Sequence, residues 1–491
     1  MSNKVENSGM KIAQNTLWAF FERFGSQIVS FIVSIVLARF ILPDDYGVIA
    51  IVTLFIGIAN VFVTGGFSNA LIQKKEVDHV DFSSVLYFGM GFSICLYLLL
   101  FFVAPYISLY FRIEELTTLL RIMGIQLIIS SFNSVQRAYV SRNLMFRRFF
   151  FSTLGGISVS GAVGIVMAFL GYGVWSLMVQ YILNTLIDTI VLFFTIKWRP
   201  TLAFSFKRLK ILLSYGWKLL FATLLTTIYS DLYTWIIARK YNSADLAYYK
   251  KGKSFPQLLA GQVGASLDSV LFSSMSRESD NKAKLKYRLR QSIRFGSFII
   301  LPLIVGLAIV AKPFINFILT DVWADAVIYL QIACISFLVS PIGSMHIQVV
   351  KALGKSGIYL ILDILKKLVG VIVLIVFINK GVIAIALAEA FANFVGLFIN
   401  IIPNIIILRY NLLEQLKDLT SALLLTLIMS LSIYWMIFLP IPSLLCMFLQ
   451  IIVAGVVYIG VSFLFKVKAL QESIKIIKAI FGKKGNVKNE G

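Results

Sequence analysis

Charge is what this chain has least of. Lys and Arg number 45 and Asp and Glu 23, so charged residues fill 14% of 491 positions while hydrophobic ones fill 59%. Soluble domains run nearer a quarter charged and half apolar, which excludes a soluble globular class. Cysteine is almost missing: Cys95, Cys334 and Cys446 lie singly inside apolar runs. Three scattered thiols build neither a disulfide framework nor a CxxC metal pair, and each reads as a small core residue. The two histidines, His79 and His346, are too few and too far apart for a metal site. No nucleophile–base pair or phosphate-cradling loop stands out, so the protein reads as a non-enzyme without cofactors.

What the chain has in quantity is apolar length. Mean hydropathy is +0.88. Breaking the sequence at charged residues and at Pro or Gly leaves about fourteen runs long enough to cross a bilayer as helices. They cover 14–42, 46–72, 82–110, 116–139, 149–170, 174–196, 211–238, 246–274, 295–319, 325–350, 357–378, 382–408, 419–439 and 443–465. The expected fold is an all-α polytopic membrane protein. The polar start, Met1 to Lys11, is followed by an apolar stretch to Leu42. That is too long for a secretory signal, so a retained first helix is expected.

The chain also repeats itself. Ala38-Arg39 and Asp45 return as Ala238-Arg239 and Asp245, 200 positions on. Ala104-Pro105-Tyr106-Ile107 is answered by Lys312-Pro313-Phe314-Ile315, and Gly171-Tyr172-Gly173-Val174 by Asn379-Lys380-Gly381-Val382, both at an offset of 208. Three echoes in order at near-constant spacing indicate an internal duplication. The expected organisation is a six-helix lobe over 1–196, a cytoplasmic linker at 197–210 and a second, pseudo-symmetric six-helix lobe over 211–410. An extra helix pair at 411–466 and a basic tail at 467–491 follow. An even number of spans per lobe makes the repeats parallel.

Lys and Arg set the orientation. With the N-terminus inside, 31 of them fall on the cytoplasmic side, 6 outside and 8 within spans. Both termini are therefore expected in the cytoplasm. The net charge of +22 reflects this topology and attraction to anionic lipid headgroups rather than nucleic acid, because it is spread over short loops. Met275 to Ser292 is expected as a surface helix or loop on that side. Leu470, Ile474, Ile477 and Ile480 fall at helical spacing among tail lysines, the pattern of an interfacial helix. The stripes Gly156-Ser160-Gly164 and Gly261-Ala265-Ser269 suit close helix packing.

Charges inside spans mark a pathway, a pair or a snorkelling end. Arg23 lies sixteen residues before Arg39, about 24 Å below the outer edge, and Lys218 holds a comparable place in the second half. Both are candidates to grip an anionic substrate entering from the cytoplasm, or else they reach headgroups, with Glu22 as an alternative partner for Arg23. Lys250, Lys251 and Lys253 crowd one helix start, and Lys366 and Lys367 sit near the midplane. These are further substrate-binding candidates. Asp231, about 12 Å below Arg239, has nothing at i±3 or i±4 to pair with. It is either a proton or cation site or the partner of a lysine on another helix. Glu389 is next, and Asp363 and Glu22 complete the ion-coupling candidates, though Asp363 also suits an internal pair with Lys366 and Lys367.

Several stretches resemble the Wzx-type polysaccharide flippases, in particular the branch exporting exopolysaccharide and teichuronic-acid units. They are Leu37 to Gly47, Gly66-Phe67-Ser68-Asn69-Ala70-Leu71-Ile72-Gln73-Lys74, Tyr139 to Phe146, Gly171 to Leu177, Lys197-Trp198-Arg199-Pro200 and Leu246-Ala247-Tyr248-Tyr249. The superfamily also holds lipid II flippases and drug/cation antiporters. The resemblance implies two lobes around a cavity that opens alternately to each side. The implied substrate is an oligosaccharide on undecaprenyl diphosphate, moved from the inner to the outer leaflet, with membrane lipids around it. A polysaccharide polymerase and a chain-length regulator are the implied partners. Coupling to H+ or Na+ is an open expectation, and a drug/cation antiporter on the same scaffold is the alternative. Eight basic against six acidic residues within spans favour an anionic cargo.

The topology is directly testable. Cysteines placed at Ser279 and at Asp44 are expected to react with a membrane-impermeant thiol reagent from opposite sides; reaction from one side overturns the assignment.

Overall fold

The computed structural model describes residues 2–74 and 76–471. Hydrophobic runs become helices because in hydrocarbon every backbone N–H and C=O needs a partner within the segment. Seventeen α-helices follow one another, with no strand among the described residues. They are α1 (Ser2–Phe40), α2 (Pro43–Thr64), α3 (Phe67–Gln73), α4 (His79–Phe111), α5 (Leu116–Met123), α6 (Ile125–Arg142), α7 (Phe146–Phe169), α8 (Val174–Thr195) and α9 (Phe206–Lys240). Then come α10 (Ser243–Ser276), α11 (Lys282–Ile309), α12 (Ala311–Ile318), α13 (Ala326–Ala352), α14 (Ser356–Phe377), α15 (Val382–Leu408), α16 (Leu412–Tyr434) and α17 (Ser443–Leu464).

Twelve helical stretches among the described residues are long and apolar enough to span a membrane. Two further helices, α10 and α14, have the length but not the composition. Lys250, Lys251 and Lys253 interrupt α10, and Asp363, Lys366 and Lys367 interrupt α14. The count of about fourteen is thus not reached among the described residues. The expected surface segment 275–292 resolves into a short turn at 277–281 followed by the first turns of α11. Of the tail positions at helical spacing, Ile474, Ile477 and Ile480 lie outside the described residues. Of the three cysteines, Cys334 and Cys446 are buried but Cys95 is exposed, so only two are core residues.

The duplication is visible in the backbone. Helices α1 and α9 end at Phe40 and Lys240, and after two non-helical residues α2 and α10 begin at Pro43 and Ser243. At the third echo Gly173 and Gly381 precede α8 and α15 with φ of +50° and +95°. Glycine enters such left-handed backbone without the Cβ clash that other residues meet.

The chain divides into two compact units, 1–247 and 248–491. In the first, α1 lies along α7, α7 along α8, and α9 packs on α2, α3 and α4. Small residues permit the closest approaches. A side-chain carbon added at Gly161 of α7 would lie 2.5 Å from Val33 of α1, and one at Gly156 would lie 2.9 Å from Asn184 of α8. The second stripe differs: nothing stands within 4 Å of such a carbon at Gly261. One end of this unit is sealed by fully buried Trp198, whose ring meets Phe82 and Tyr139 at 5.8 and 6.4 Å. Beside it the Arg142 guanidinium donates to the carbonyls of Leu71, Ile72 and Lys74, closing the end of α3. Asp78 then starts α4 by accepting from the N–H groups of Val80 and Asp81. Its carboxyl is held below the usual carboxylate range by Arg208 and by those N–H groups.

In the second unit α13 packs between α11 and α15, and α16 lies on α11 and α17. Two buried clusters hold it. One joins Leu285, Leu289 and Ile293 to Met345, Val349 and Tyr410. The other joins Phe298 to Leu425, Met429 and Tyr458.

Gly161→Leu is expected to overpack the α1–α7 contact and to lower thermal stability in detergent by about 1–3 kcal/mol. Gly155→Leu, where nothing lies within 4 Å, is expected to leave the melt unchanged. Equal shifts in both variants would remove the packing role assigned to Gly161.

Candidate functional site

The first unit contains a cavity of about 440 Å³ with a lining unlike the rest of the protein. Asn60 and Thr64 of α2, Ser68 and Asn69 at α3, and Gln126, Ser130, Asn133, Ser134 and Ser141 of α6 face it. Thr153 of α7 and Asn184 and Thr185 of α8 complete a wall of twelve amide and hydroxyl side chains. Only Ile72 and Ala138 are apolar, and Arg137 and Asp188 carry the charge. Such groups cost free energy when buried without partners, so their gathering in one place needs an explanation beyond packing.

Some of them satisfy one another. Arg137 donates from Nε to Asp188 at 3.0 Å and from its terminal nitrogen to Thr153 at 3.1 Å. Asn133 donates to the same Asp188 oxygen at 2.9 Å, and Gln126 to Thr185 at 2.8 Å. Four buried oxygens are left without a partner among the described residues: Asn60 Oδ1, Ser68 Oγ, Gln126 Oε1 and Asp188 Oδ1. They lie just beneath the cavity surface, and a small side-chain rotation toward a hydrogen-bond donor would satisfy them. A ligand rich in O–H donors, or water, meets that requirement.

Helix α1 shows three faces. Trp18, Gly25 and Val33 turn toward α7, through Phe150, Leu154 and Gly161. Phe20, Phe24, Ile28 and Ile32, spaced by four, form an exposed apolar face. Arg23, Gln27, Ser30 and Ser34, at i, i+4, i+7 and i+11, form a polar stripe between them. A polar stripe on a spanning helix faces water or a polar interior in preference to acyl chains. Arg23 is exposed and makes no ion pair among the described residues, with Glu22 or any other acid. Lys218 on α9 is likewise exposed and free of ion pairs among the described residues.

The remaining sequence candidates separate by environment. Asp231 lines an apolar pocket of about 500 Å³ with Leu54, Phe55, Tyr106, Tyr110 and Trp235, and no lysine pairs with it among the described residues. Glu389 of α15 is not isolated: Lys253 of α10 binds it at 2.5 Å and the Tyr249 hydroxyl donates to it at 2.6 Å. Lys251 is buried with its ammonium 5.8 Å from the Trp323 ring centre. Lys250 is half-buried on the same helix. On α14, Asp363 pairs with Lys367 at 2.9 Å and stands 3.8 Å from Lys366, whose stem covers Gly396 of α15.

The polar cavity escapes sequence reasoning because its residues are single amides and hydroxyls within apolar runs on five helices. Asp188 is visible as an acid inside a span, but Arg137, 51 positions away, reads as an ordinary cytoplasmic-side arginine.

Residues 36–328 match the polysaccharide biosynthesis protein family. An uncharacterized membrane protein in the cps region of Klebsiella pneumoniae is 24% identical over 347 residues, 68% of this chain and 71% of that protein. The succinoglycan biosynthesis transport protein ExoT of Rhizobium meliloti is 20% identical over 347 residues, 71% of this chain and 70% of that one. Among solved structures, the lipid II flippase MurJ in an inward closed conformation aligns over 91% of this chain and 98% of its own, with a TM-score of 0.75 at 20% identity. That likeness establishes the fold.

Removing Arg137 leaves Asp188 buried with only Asn133 to hold it. Arg137→Ala is expected to lower stability by about 1–3 kcal/mol, and the double variant Arg137→Ala/Asp188→Asn to recover part of the loss in a thermal melt. Strict additivity of the two changes would show that the pair is not coupled. With the match covering more than half of its length, this chain belongs to the polysaccharide biosynthesis protein family.

Proposed function

We infer that this protein is a flippase that carries lipid-linked oligosaccharide units across the cytoplasmic membrane, from inner to outer leaflet, for surface polysaccharide assembly. The observation that carries this reading is the cavity of twelve amide and hydroxyl side chains with four unpartnered buried oxygens. Sugar hydroxyls donate and accept in every direction, and amide and hydroxyl side chains complement them without a fixed charge. A drug/cation antiporter would be served better by an apolar or acidic cavity. In this lining the one acid, Asp188, is already engaged by Arg137.

The carrier's diphosphate needs a different partner. A doubly charged group drawn from the interface must meet charge or hydrogen bonds, because its desolvation costs several kcal/mol. Arg23 supplies a planar fork suited to phosphate, stands at the head of a polar stripe and has no competing acid. Lys218 is a further cation within a span of the same unit that makes no ion pair among the described residues. Lys253 is already paired with Glu389, and Lys366 and Lys367 share the single carboxylate of Asp363, so two of these three charges are offset and a full set of contacts to an anion needs an exchange of partners. Asp231, an acid in an apolar pocket, is the group best placed to take up a proton or sodium ion during turnover. Both termini are cytoplasmic in this reading, and the polymerase and chain-length regulator act on the product outside.

In vesicles loaded with a lipid-linked oligosaccharide, Arg23→Ala is expected to reduce translocation roughly tenfold or more and Arg23→Lys to reduce it partially, as a lost charge-assisted bond implies. Asp231→Asn in the same assay is expected to abolish dependence on an imposed ion gradient. An Arg23→Ala protein that inserts and transports like wild type sinks the phosphate assignment, and persistent gradient dependence in Asp231→Asn sinks the coupling assignment.

A further inference from the structure

A second pocket, of about 500 Å³, lies in the second unit among α11, α16 and the end of α17. Its rim is basic: Arg290 and Arg294 come from α11, Lys417 from α16, and Lys466 and Lys468 from the turn after α17. The two arginines are fixed by buried Asp418, at 2.7 and 2.5 Å, and Tyr410 donates to the same carboxylate at 2.7 Å. The three lysines are exposed and make no ion pair among the described residues. Glu414 also stands 3.9 Å from Arg290 but is bound by Lys286 at 2.7 Å, so the five rim cations outnumber the acids beside them and leave the rim positive.

Below the rim the pocket changes character. Lys417, Ser421, Leu424 and Ile428 fall at i, i+4, i+7 and i+11, one face of α16 that descends from cation to hydroxyl to hydrocarbon. Leu424, Ile428 and, opposite them, Phe465 are 54%, 40% and 74% exposed. From Lys417 to Ile428 the helix rises about 16 Å, close to half the ~30 Å hydrocarbon core. The rim is held in place, since the chain turns back at Lys466 with φ of +48° and packs Val467 and Leu470 against the Phe298 cluster.

We propose that this pocket binds an anionic glycerophospholipid, its phosphate among Lys417, Lys466, Lys468 and the arginine pair and an acyl chain along Leu424 and Ile428. The cations sit at one end of an apolar groove one leaflet deep, the order of charge and hydrocarbon in such a lipid. Basic pockets between membrane helices bind anionic headgroups for this reason. The chain's own residues 472–491 do not suit the rim, because they carry five lysines against two glutamates. The site is built from residues of the second unit alone and does not depend on the flippase reading.

Titration of the full-length protein in detergent with phosphatidylglycerol, read by native mass spectrometry, tests this. Wild type is expected to retain phosphatidylglycerol in preference to phosphatidylcholine. Lys417→Ala/Lys466→Ala/Lys468→Ala is expected to bind on the order of 100-fold more weakly, at roughly fivefold per cation. The corresponding triple Lys→Arg variant is expected to retain binding, and Lys417→Ala alone, which keeps two lysines, to weaken it about fivefold. Phosphatidylglycerol binding by the alanine variants equal to wild type overturns the proposal. So does displacement by inorganic phosphate at matched concentration, which would mean an anion site without a lipid, or by undecaprenyl phosphate, which would make the occupant the carrier lipid.

Discussion

Carrying charge through hydrocarbon is the constraint on which the structure depends. A lone ionised side chain on a lipid-facing helix costs several kcal/mol, so each one must be paired, shielded or turned toward water. The protein uses all three solutions. Arg137 with Asp188 and Lys253 with Glu389 are pairs that join different helices, while Asp363 with Lys367 closes within one. Lys251 rests against the face of Trp323. Arg23 joins a polar stripe that separates the α7 contact from the exposed apolar face of α1. Pairing between helices also constrains their register, since an ion pair tolerates little sliding before both partners are exposed to hydrocarbon.

The stretches that resemble the Wzx-type flippases serve mainly to build this frame. Trp198, Tyr139 and Arg142, from two of them, seal one end of the first unit around α3. The short helix α3 itself has two faces: Ala70 and Leu71 enter the buried core, while Ser68, Asn69 and Ile72 turn to the polar cavity. One seven-residue element therefore links scaffold to site. At another shared stretch, a carbon added to Gly173 would lie 2.9 Å from an Asp45 carboxylate oxygen. There glycine is required both by its backbone angle and by its neighbour.

Much of the fold was legible in the sequence because its causes are local. Apolar run length specifies helices, and the repeated joint at Phe40–Pro43 and Lys240–Ser243 is encoded by residues beside it. The in-span charges of α10 and α14 were equally visible, since they interrupt the apolar runs themselves. The site was much less legible. Glu389 and Lys253 are 136 positions apart, so local spacing made the one look unpaired and the other an anchor for substrate. Asp363 lay the other way: its partners stand at i+3 and i+4, and the pair follows from helix geometry alone. The cavity is the extreme case, since no single serine or asparagine in an apolar run announces that eleven others will face it.

That cavity also bears on how a transporter releases its cargo. A glycan held by buried charges would gain 1.5–3 kcal/mol per charge-assisted bond, roughly twice the value of a neutral one. Neutral amide and hydroxyl bonds each contribute about 1 kcal/mol net, because water competes for both partners. Many weak bonds recognise a polyhydroxyl surface and still come apart one by one when water enters. The single pair inside, Arg137 with Asp188, is spent on holding α6 to α8, with Thr153 of α7 joined to the same guanidinium. Charge therefore fixes the walls, and uncharged groups line the space between them. A protein built to bind sugars permanently would have no need to keep those two tasks apart.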